Sequence, residues 1–341
     1  MKMNKKISRG CALALLGCVS MFFFALFCSA PCHADEQKAS KPTAAIPVIF
    51  DTDIGDDIDD TWALMMLLKS PQFDVKLITT TFGKAEYRGK LIAKMLTAVN
   101  RTDIPIGLGE GGRDGTANQQ EWVKDYKLSD FPGKIYEDGV QAVIDTIQNS
   151  QQPITIISVG PCNTMAAVVD RQPDIVKKAS FFGMDGSVYK GYNGGKVSPE
   201  WNVKANVAAA RKVLSAPWND ITITPLDTCG LVILSGERFA TLKKSQDPFA
   251  RTLLENYRIW AGKASLDQLD RSSVLYDTVA VYLANPGEKP LLTFETLSIA
   301  VTNDGFTKID EAGRKMSVAT AWKNLDGYED LLVKILTTKM D

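Results

Sequence analysis

Ten residues, Asp51 to Asp60 (DTDIGDDIDD), hold six carboxylates. Like charges packed so closely repel and raise one another's pKa values unless something positive lies between them. The natural partner of such an all-oxygen donor set is a hard divalent cation, calcium or magnesium. The loop is not an EF-hand: counted from Asp51, Gly55 is fifth rather than sixth and the twelfth position is Trp62 rather than a bidentate Glu. A haloacid dehalogenase type phosphatase would share the Asp51, Thr52, Asp53 start but has Thr or Val where this chain has Gly55, a partial match that leaves it as a minor alternative. An acidic helix N-terminus favoured by the helix dipole needs one or two acids, not six.

The loop follows Ile46, Pro47, Val48, Ile49 and Phe50, an apolar run that reads as a buried strand. The acids therefore stand at a strand's C-terminal end, where open α/β sheets bind ligands. After the loop, Thr61 to Leu68 has helical spacing, with Asp59 or Asp60 placed as N-cap. Val75 to Thr81 reads as a strand, Glu86 to Val99 as a helix and Ile104 to Leu108 as a strand, the βαβ alternation of a parallel sheet. Gly109 to Lys134 is long for a connection and reads either as an active-site flap or as a surface excursion. Further helices are expected over Gly139 to Gln148, Asn163 to Arg171 and Asn206 to Leu214, and strands over Ile154 to Val159, Ser180 to Gly183 and Ile221 to Pro225. Beyond Gly230 helices dominate (Ser235 to Lys244, Pro248 to Gly262, Asp277 to Ala284). Leu291 to Lys323 then alternates like antiparallel strands, and a final helix runs from Tyr328 to Thr337. The fold class is α/β: a mostly parallel central sheet flanked by helices, with additional helices and antiparallel strands in the C-terminal third.

At 341 residues, with 45% hydrophobic and 23% charged side chains, the chain can bury a full core. Residues 1–34 read as a secretory signal peptide: Lys2, Lys5, Lys6 and Arg9 precede an apolar run from Cys11 to Phe27, and cleavage is expected after Ala34. An uncleaved anchor and a lipoprotein at Cys18 are the lesser alternatives. Residues 35–45 read as a polar linker and 46–341 as the folded domain. Without the first segment 35 Lys and Arg face 40 Asp and Glu, a net charge of −5, and nothing suggests nucleic acid. Four of six cysteines leave with the segment, so only Cys162 and Cys229 remain to pair in an oxidising compartment. The only histidine, His33, leaves too, which removes any histidine triad, zinc ligand or general acid. The expected location is periplasmic or secreted, without stable membrane association after cleavage.

D-x-D-x-G followed by D-D-x-x-A-L, here Asp51, Asp53, Gly55, Asp59, Asp60, Ala63 and Leu64, closely resembles the signature of inosine–uridine type nucleoside hydrolases. Further landmarks follow in order: Ile78 to Gly83 resembles the family's second strand, Ser158 to Thr164 its third landmark, Glu200, Trp201, Asn202 its substrate-binding E-x-N, and Tyr276, Asp277 its late ligand segment. The first loop is two residues longer than in the founding members, which leaves Asp57 and Asp59 as alternative partners of Asp60.

The resemblance implies a calcium ion held by Asp53, Asp60, the Val159 carbonyl and Asp277, with Asp53 as general base on calcium-bound water. Calcium polarises water less than zinc, so a carboxylate base beside it is chemically reasonable. Asp51 would orient the loop, while Asp59, Glu200, Asn202 and Asp277 would grip the ribose hydroxyls of a ribonucleoside. Two positions depart from the pattern. Lys84 replaces an Asn and could donate to a sugar hydroxyl or pair with the acidic loop, and Tyr276 replaces a His and could hydrogen-bond or stack on the base. Ordinary structural roles compete: Asn202 as a loop cap, Glu200 as a solvated acid, Asp277 as a helix N-cap, and Trp201, Trp260 and Tyr276 as core aromatics. The implied activity is calcium-dependent hydrolysis of ribonucleosides to ribose and base, by a dimer or tetramer. The contrasting function is a non-catalytic exported binder of nucleosides or sugars.

Overall fold

The computed structural model describes residues 44–112 and 114–339. The expected signal segment and most of the linker, through residue 43, lie outside the described residues. A ten-stranded sheet runs β4-β3-β2-β1-β5-β6-β7-β10-β8-β9 across the molecule. Its strands are β1 (Ile46–Thr52), β2 (Phe73–Thr80), β3 (Ile106–Gly107), β4 (Ile135–Tyr136), β5 (Ile154–Ser158), β6 (Ala179–Met184), β7 (Asp220–Thr224), β8 (Leu292–Val301), β9 (Thr307–Ile309) and β10 (Arg314–Trp322). From β4 through β10 every pairing is parallel; β10 with β8 and β8 with β9 are antiparallel. The C-terminal strands thus continue the central sheet through the parallel pairing of Ser317 and Val318 with Thr222 and Ile223.

Strand β1 is central because both faces are apolar. Val48 and Phe50 join the core on one side and Ile49 the core on the other, all with no accessible surface. Chain order runs outward from β1 through β2 and β3 to β4, then returns to β1's other edge with β5. That reversal leaves a crevice beyond the carboxyl ends of β1 and β5, the topological switch point at which such sheets bind ligands. The acidic loop begins at the end of β1 and Val159 follows the end of β5.

Several expected boundaries shift. The strand over Ile104 to Leu108 shrinks to two residues, and β4 and the short helix Trp201–Ala205 lie in stretches to which the sequence assigns no element. Gly109 to Lys134 is a partly structured excursion with a helical turn at Gln120–Val123. It reaches the acidic loop, where Asn118 donates its backbone N–H to Gly55 O at 3.0 Å and its side-chain amide to Asp56 O at 2.6 Å. Cys162 and Cys229 are both free and buried.

Away from the crevice, Lys69 reaches Asp247 at 2.5 Å with both side chains almost wholly buried. The other oxygen of Asp247 caps the helix Pro248–Trp260 through Phe249 N at 2.9 Å. Removing one member of a buried pair strands the other charge. Lys69→Met is therefore expected to cost about 3 kcal/mol of unfolding free energy, read as a lower midpoint with unchanged slope in urea denaturation.

Candidate functional site

A cleft of about 450 Å³ opens at the switch point. Asp53, Asp59 and Asp60 come from the loop after β1, Val159 from the end of β5, Met184 from the end of β6, Glu200 and Asn202 from the following loop and helix start, and Tyr276 and Asp277 from the turn before the helix Thr278–Leu283. Sequence reasoning named all of these except Met184. Residues separated by more than 200 positions meet here because each sits at or just beyond an element's end on one edge of the sheet.

Local geometry explains the loop. Gly55 turns at φ +108°, where an added Cβ would run into Leu91 and Tyr87, and the Tyr87 hydroxyl donates to Gly55 O at 3.0 Å. Asp59 and Asp60 do not cap the next helix as expected: Ile58 holds the N-cap position without a side-chain bond, and both acids lie in the first turn. Asp277 occupies the N-cap position of Thr278–Leu283 yet makes no capping bond. Instead Asp59, Asp60 and Asp277 each present an oxygen within 4.8 Å of the others, all three side chains being buried. Asp59, expected at a ribose hydroxyl, thus stands in the tight carboxylate group, and Asp53 lines the cleft beside it.

Asp53 is fixed from two sides. A Cβ at Gly160 would lie 2.7 Å from Asp53 Oδ1, so the backbone after β5 must be glycine there. Beneath the loop the fully buried Arg88 donates to the carbonyls of Asp53, Ile54 (2.8 Å) and Phe82 (2.7 Å). Its Nη2 stands 4.0 Å from the carboxylates of both Asp53 and Asp56. Arg88 takes the charge-balancing place expected of Lys84. Lys84 is not among the cleft's lining residues, its backbone bridges to Gly112, and its side chain forms no ion pair among the described residues. Arg88 could have been suspected from the sequence because it falls between Tyr87 and Leu91 on a helix whose inward face is otherwise apolar.

Asp51 lies behind the cleft, accepting the Thr79 hydroxyl at 2.7 Å on Oδ1 while Oδ2 has no partner. Asp60 accepts the Thr52 hydroxyl. Glu200 is not a solvated surface acid; it is buried and accepts from the backbone N–H groups of Asn202 (2.7 Å), Gly186 (3.0 Å) and Val203 (3.2 Å). Asn202 donates to Met184 O at 3.0 Å and to Val159 O at 3.2 Å, so the carbonyl expected to ligate a metal is also braced by the amide. Trp201 is 52% exposed on the cleft wall and is no core residue, whereas Trp260 stacks on Tyr257 and donates to Asp56 O at 3.1 Å.

The site gathers far more acidic than basic groups. Burial, with smaller effects from neighbouring charges and hydrogen bonds, pushes Asp51 up to about 8 and Glu200 up to about 7. Asp53 rises to about 6, burial outweighing the pull of Arg88. Asp59, Asp60 and Asp277 are raised well above the usual carboxylate range by burial and then by one another's and other nearby carboxylate charges. An all-carboxylate set with one arginine nearby fits a hard divalent cation, which oxygen donors prefer.

A model of the inosine-uridine preferring nucleoside hydrolases matches residues 48–333. The chain belongs to that family. Among curated proteins it is similar to the pyrimidine-specific ribonucleoside hydrolase RihA of Escherichia coli, 27% identical over 191 residues, which covers 50% of this chain and 58% of the relative. The alignment therefore spans little more than half of that relative's length. Among solved structures, a plant nucleoside hydrolase (PpNRh1) superposes with TM-score 0.73 at 22% identity, covering 86% of this chain and 99% of the other. A purine-preferring ribonucleoside hydrolase from Gardnerella vaginalis gives 0.68 at 19%, covering 85% and 98%. At those identities the neighbours establish the shared fold: the mostly parallel sheet, its helices and the antiparallel extension. Family membership displaces the phosphatase alternative.

The raised carboxylates carry a linkage prediction. Each holds its proton more tightly folded than unfolded, so its stabilising contribution is complete below about pH 4 and is lost as pH rises through the folded values, from about 6 to about 8 where those are defined. A divalent cation that replaces those protons should therefore raise the melting temperature more at pH 8 than at pH 5. Calorimetric scans of chelator-treated protein, with and without millimolar calcium or magnesium, check this; an equal shift at both pH values would contradict it.

Proposed function

We propose that the protein hydrolyses the N-glycosidic bond of ribonucleosides to ribose and free base, with calcium as its resident ion. The observation that carries this reading is the convergence, in a chain of this family, of Asp53, the Asp59, Asp60, Asp277 group, Glu200 and Asn202 on one cleft at the switch point. Asp53, Asp60, Asp277 and the Val159 carbonyl would hold the ion, with Asp59 adjacent. When bound, the ion would offset the repulsion among these carboxylates and make a nearby water more acidic.

The chain's own groups would do the rest. Asp53, fixed between Gly160 and Arg88, takes the proton from the attacking water at its carboxylate. Asp59, Asp277, Glu200 and Asn202 bind and orient the ribose hydroxyls. Because Glu200 is already held by three backbone N–H groups, it can meet a hydroxyl without losing side-chain freedom. Positive charge develops at C1′ as the bond to the base breaks, and the carboxylate-lined wall favours that charge more in the transition state than in the ground state. Asp51 acts from behind, fixing the strand end through Thr79.

Export through residues 1–34, into the periplasm or medium, and assembly as a dimer or tetramer belong to the same proposal. A screen of common nucleosides for reducing-sugar release tests the activity. At least one substrate should be cleaved, chelation should abolish cleavage and calcium restore it. Asp53→Ala should lower kcat by about a thousandfold or more while circular dichroism shows an unchanged fold. Cleavage unaffected by that substitution would refute the base assignment, and binding without cleavage would favour a non-catalytic nucleoside binder.

A further inference from the structure

We infer that Asp185 is a positioning residue for Glu200 and Asn202, an inference that rests on the reading above for the sugar-gripping role of that pair. Asp185 does not line the cleft. Its seated side chain holds the stretch of backbone that in turn holds the two side chains that do.

The argument begins with the residues on either side of it. Met184 O accepts the Asn202 amide at 3.0 Å, and Gly186 N donates to Glu200 Oε2 at 3.0 Å. Both groups are thus fixed by the immediate neighbours of Asp185, so a change in the Asp185 backbone dihedrals would move both at once. On the outer side, Gly186 O accepts Leu226 N at 2.9 Å, which ties the segment to the chain just past β7.

The second observation is where the side chain goes. Asp185 is 1% exposed and turns back along its own strand, so that a Cβ at Gly183 would collide with Asp185 Oδ2. The carboxyl fills the seat that a side chain at position 183 would take, and only glycine leaves that seat free. Gly183 is in register with Ser158 of β5, Ser158 with Asp51 of β1, and Asp51 with Thr79 of β2. Residues in register share a face of the sheet. The seated carboxyl therefore extends a polar row across four strand ends, above the apolar core that Ile49, Ile156 and Phe181 enter two positions earlier. From the start of the helix Asn163–Arg171, the buried Cys162 thiol donates to Asp185 Oδ1 at 3.7 Å.

The third observation is that packing does not account for a carboxyl there. Asp185 Oδ2 and Ser158 Oγ have no hydrogen-bond partner among the described residues, and burying polar atoms in that state lowers stability. An apolar side chain would avoid the penalty but could not accept from Cys162. What the carboxyl supplies is direction, at the turn where β6 passes into the segment leading to Glu200. Burial, and then the charge of Glu200, hold it well above the usual carboxylate range, so the seated group is the uncharged acid, which an amide matches in shape.

The test measures kcat/KM on inosine, adenosine, uridine and cytidine. Asp185→Ala is expected to lower it about tenfold with circular dichroism unchanged, while Asp185→Asn stays within about twofold of wild type. In a Glu200→Ala background the further loss from Asp185→Ala should shrink to about threefold or less, because one of the groups it positions is already gone. Should Asp185→Ala fail to fold, Asp185→Ser, too short to reach Cys162, replaces it with the same expected losses. Equal losses in the Ala and Asn variants, losses that multiply in full with Glu200→Ala, or wild-type rates in Asp185→Ala overturn the inference and leave the hydrolase reading intact. If the wild type cleaves none of the four nucleosides, the hydrolase reading fails, and the dissociation constant for D-ribose, measured by calorimetry in the same variants, decides the inference by the same comparisons. Absence of ribose binding as well overturns both.

Discussion

Everything at this site depends on carboxylates being held where they repel one another and cannot be reached by much water. Asp51, Asp53, Asp59, Asp60, Glu200 and Asp277 are all buried to 6% exposure or less, and among the described residues Arg88 is the one cation built in beneath them. Burial disfavours the charged form and like charges disfavour it further, so each group answers with a raised pKa. A fold selected for stability alone would have used these positions differently. Arg88 does not cancel the excess: it spends three of its bonds on backbone carbonyls and stands 4.0 Å from the Asp53 carboxylate. It fixes the shape of the loop more than it neutralises it, which leaves the deficit of positive charge in the cleft itself.

The same priority is visible at helix ends. Asp and Asn side chains at the start of a helix ordinarily gain about 1 kcal/mol by accepting backbone N–H groups. Asp138, Asp247, Asn206 and Asn324 do so at the starts of four helices away from the acidic group. Asp59, Asp60 and Asp277 stand at two helix starts and cap neither. Their oxygens are left to converge, at a cost in local stability that the surrounding apolar packing absorbs. Glu200 combines both duties, capping the short helix Trp201–Ala205 while facing the cleft.

That contrast also explains what the sequence could tell. The strand Ile46–Thr52, the acidic loop and the order of later landmarks were legible because each is a local pattern: an apolar run, a density of charge, a short motif. The expectation that Asp59 or Asp60 would cap was a propensity argument, and tertiary charge clustering overrode it. Lys84 was singled out because it departs from a motif position, yet the cation that matters, Arg88, lies one helical turn further on with its face inward. Its apolar neighbours on that helix hint at burial, but no local signal shows which carbonyls and carboxylates it meets. The two-residue strands β3 and β4 fell below what periodicity can detect, and the pairing of β10 with β7 joins segments nearly 100 residues apart, which alternation in Leu291 to Lys323 could not reveal.

That remote pairing bears on the site itself. The loop that carries Tyr192 and leads to Glu200 has little regular structure of its own, so its rigidity has to be supplied from outside. Thr307, on β9 at the far edge of the sheet, accepts from Ser187 N and donates to Ser187 O, both at 2.9 Å. Asp227, just past β7, accepts the N–H groups of Val188, Tyr189 and Lys190 between 2.7 and 3.1 Å. A side chain with three backbone donors converging on it holds those donors in one geometry far better than water could. The antiparallel extension therefore does more than protect a sheet edge: it anchors the segment that places an aromatic ring and a buried glutamate opposite the acidic loop. The loop after β1 supplies most of the charge, joined by Glu200 and Asp277, and the antiparallel extension braces the segment from Ser187 to Lys190 that leads to the cleft wall.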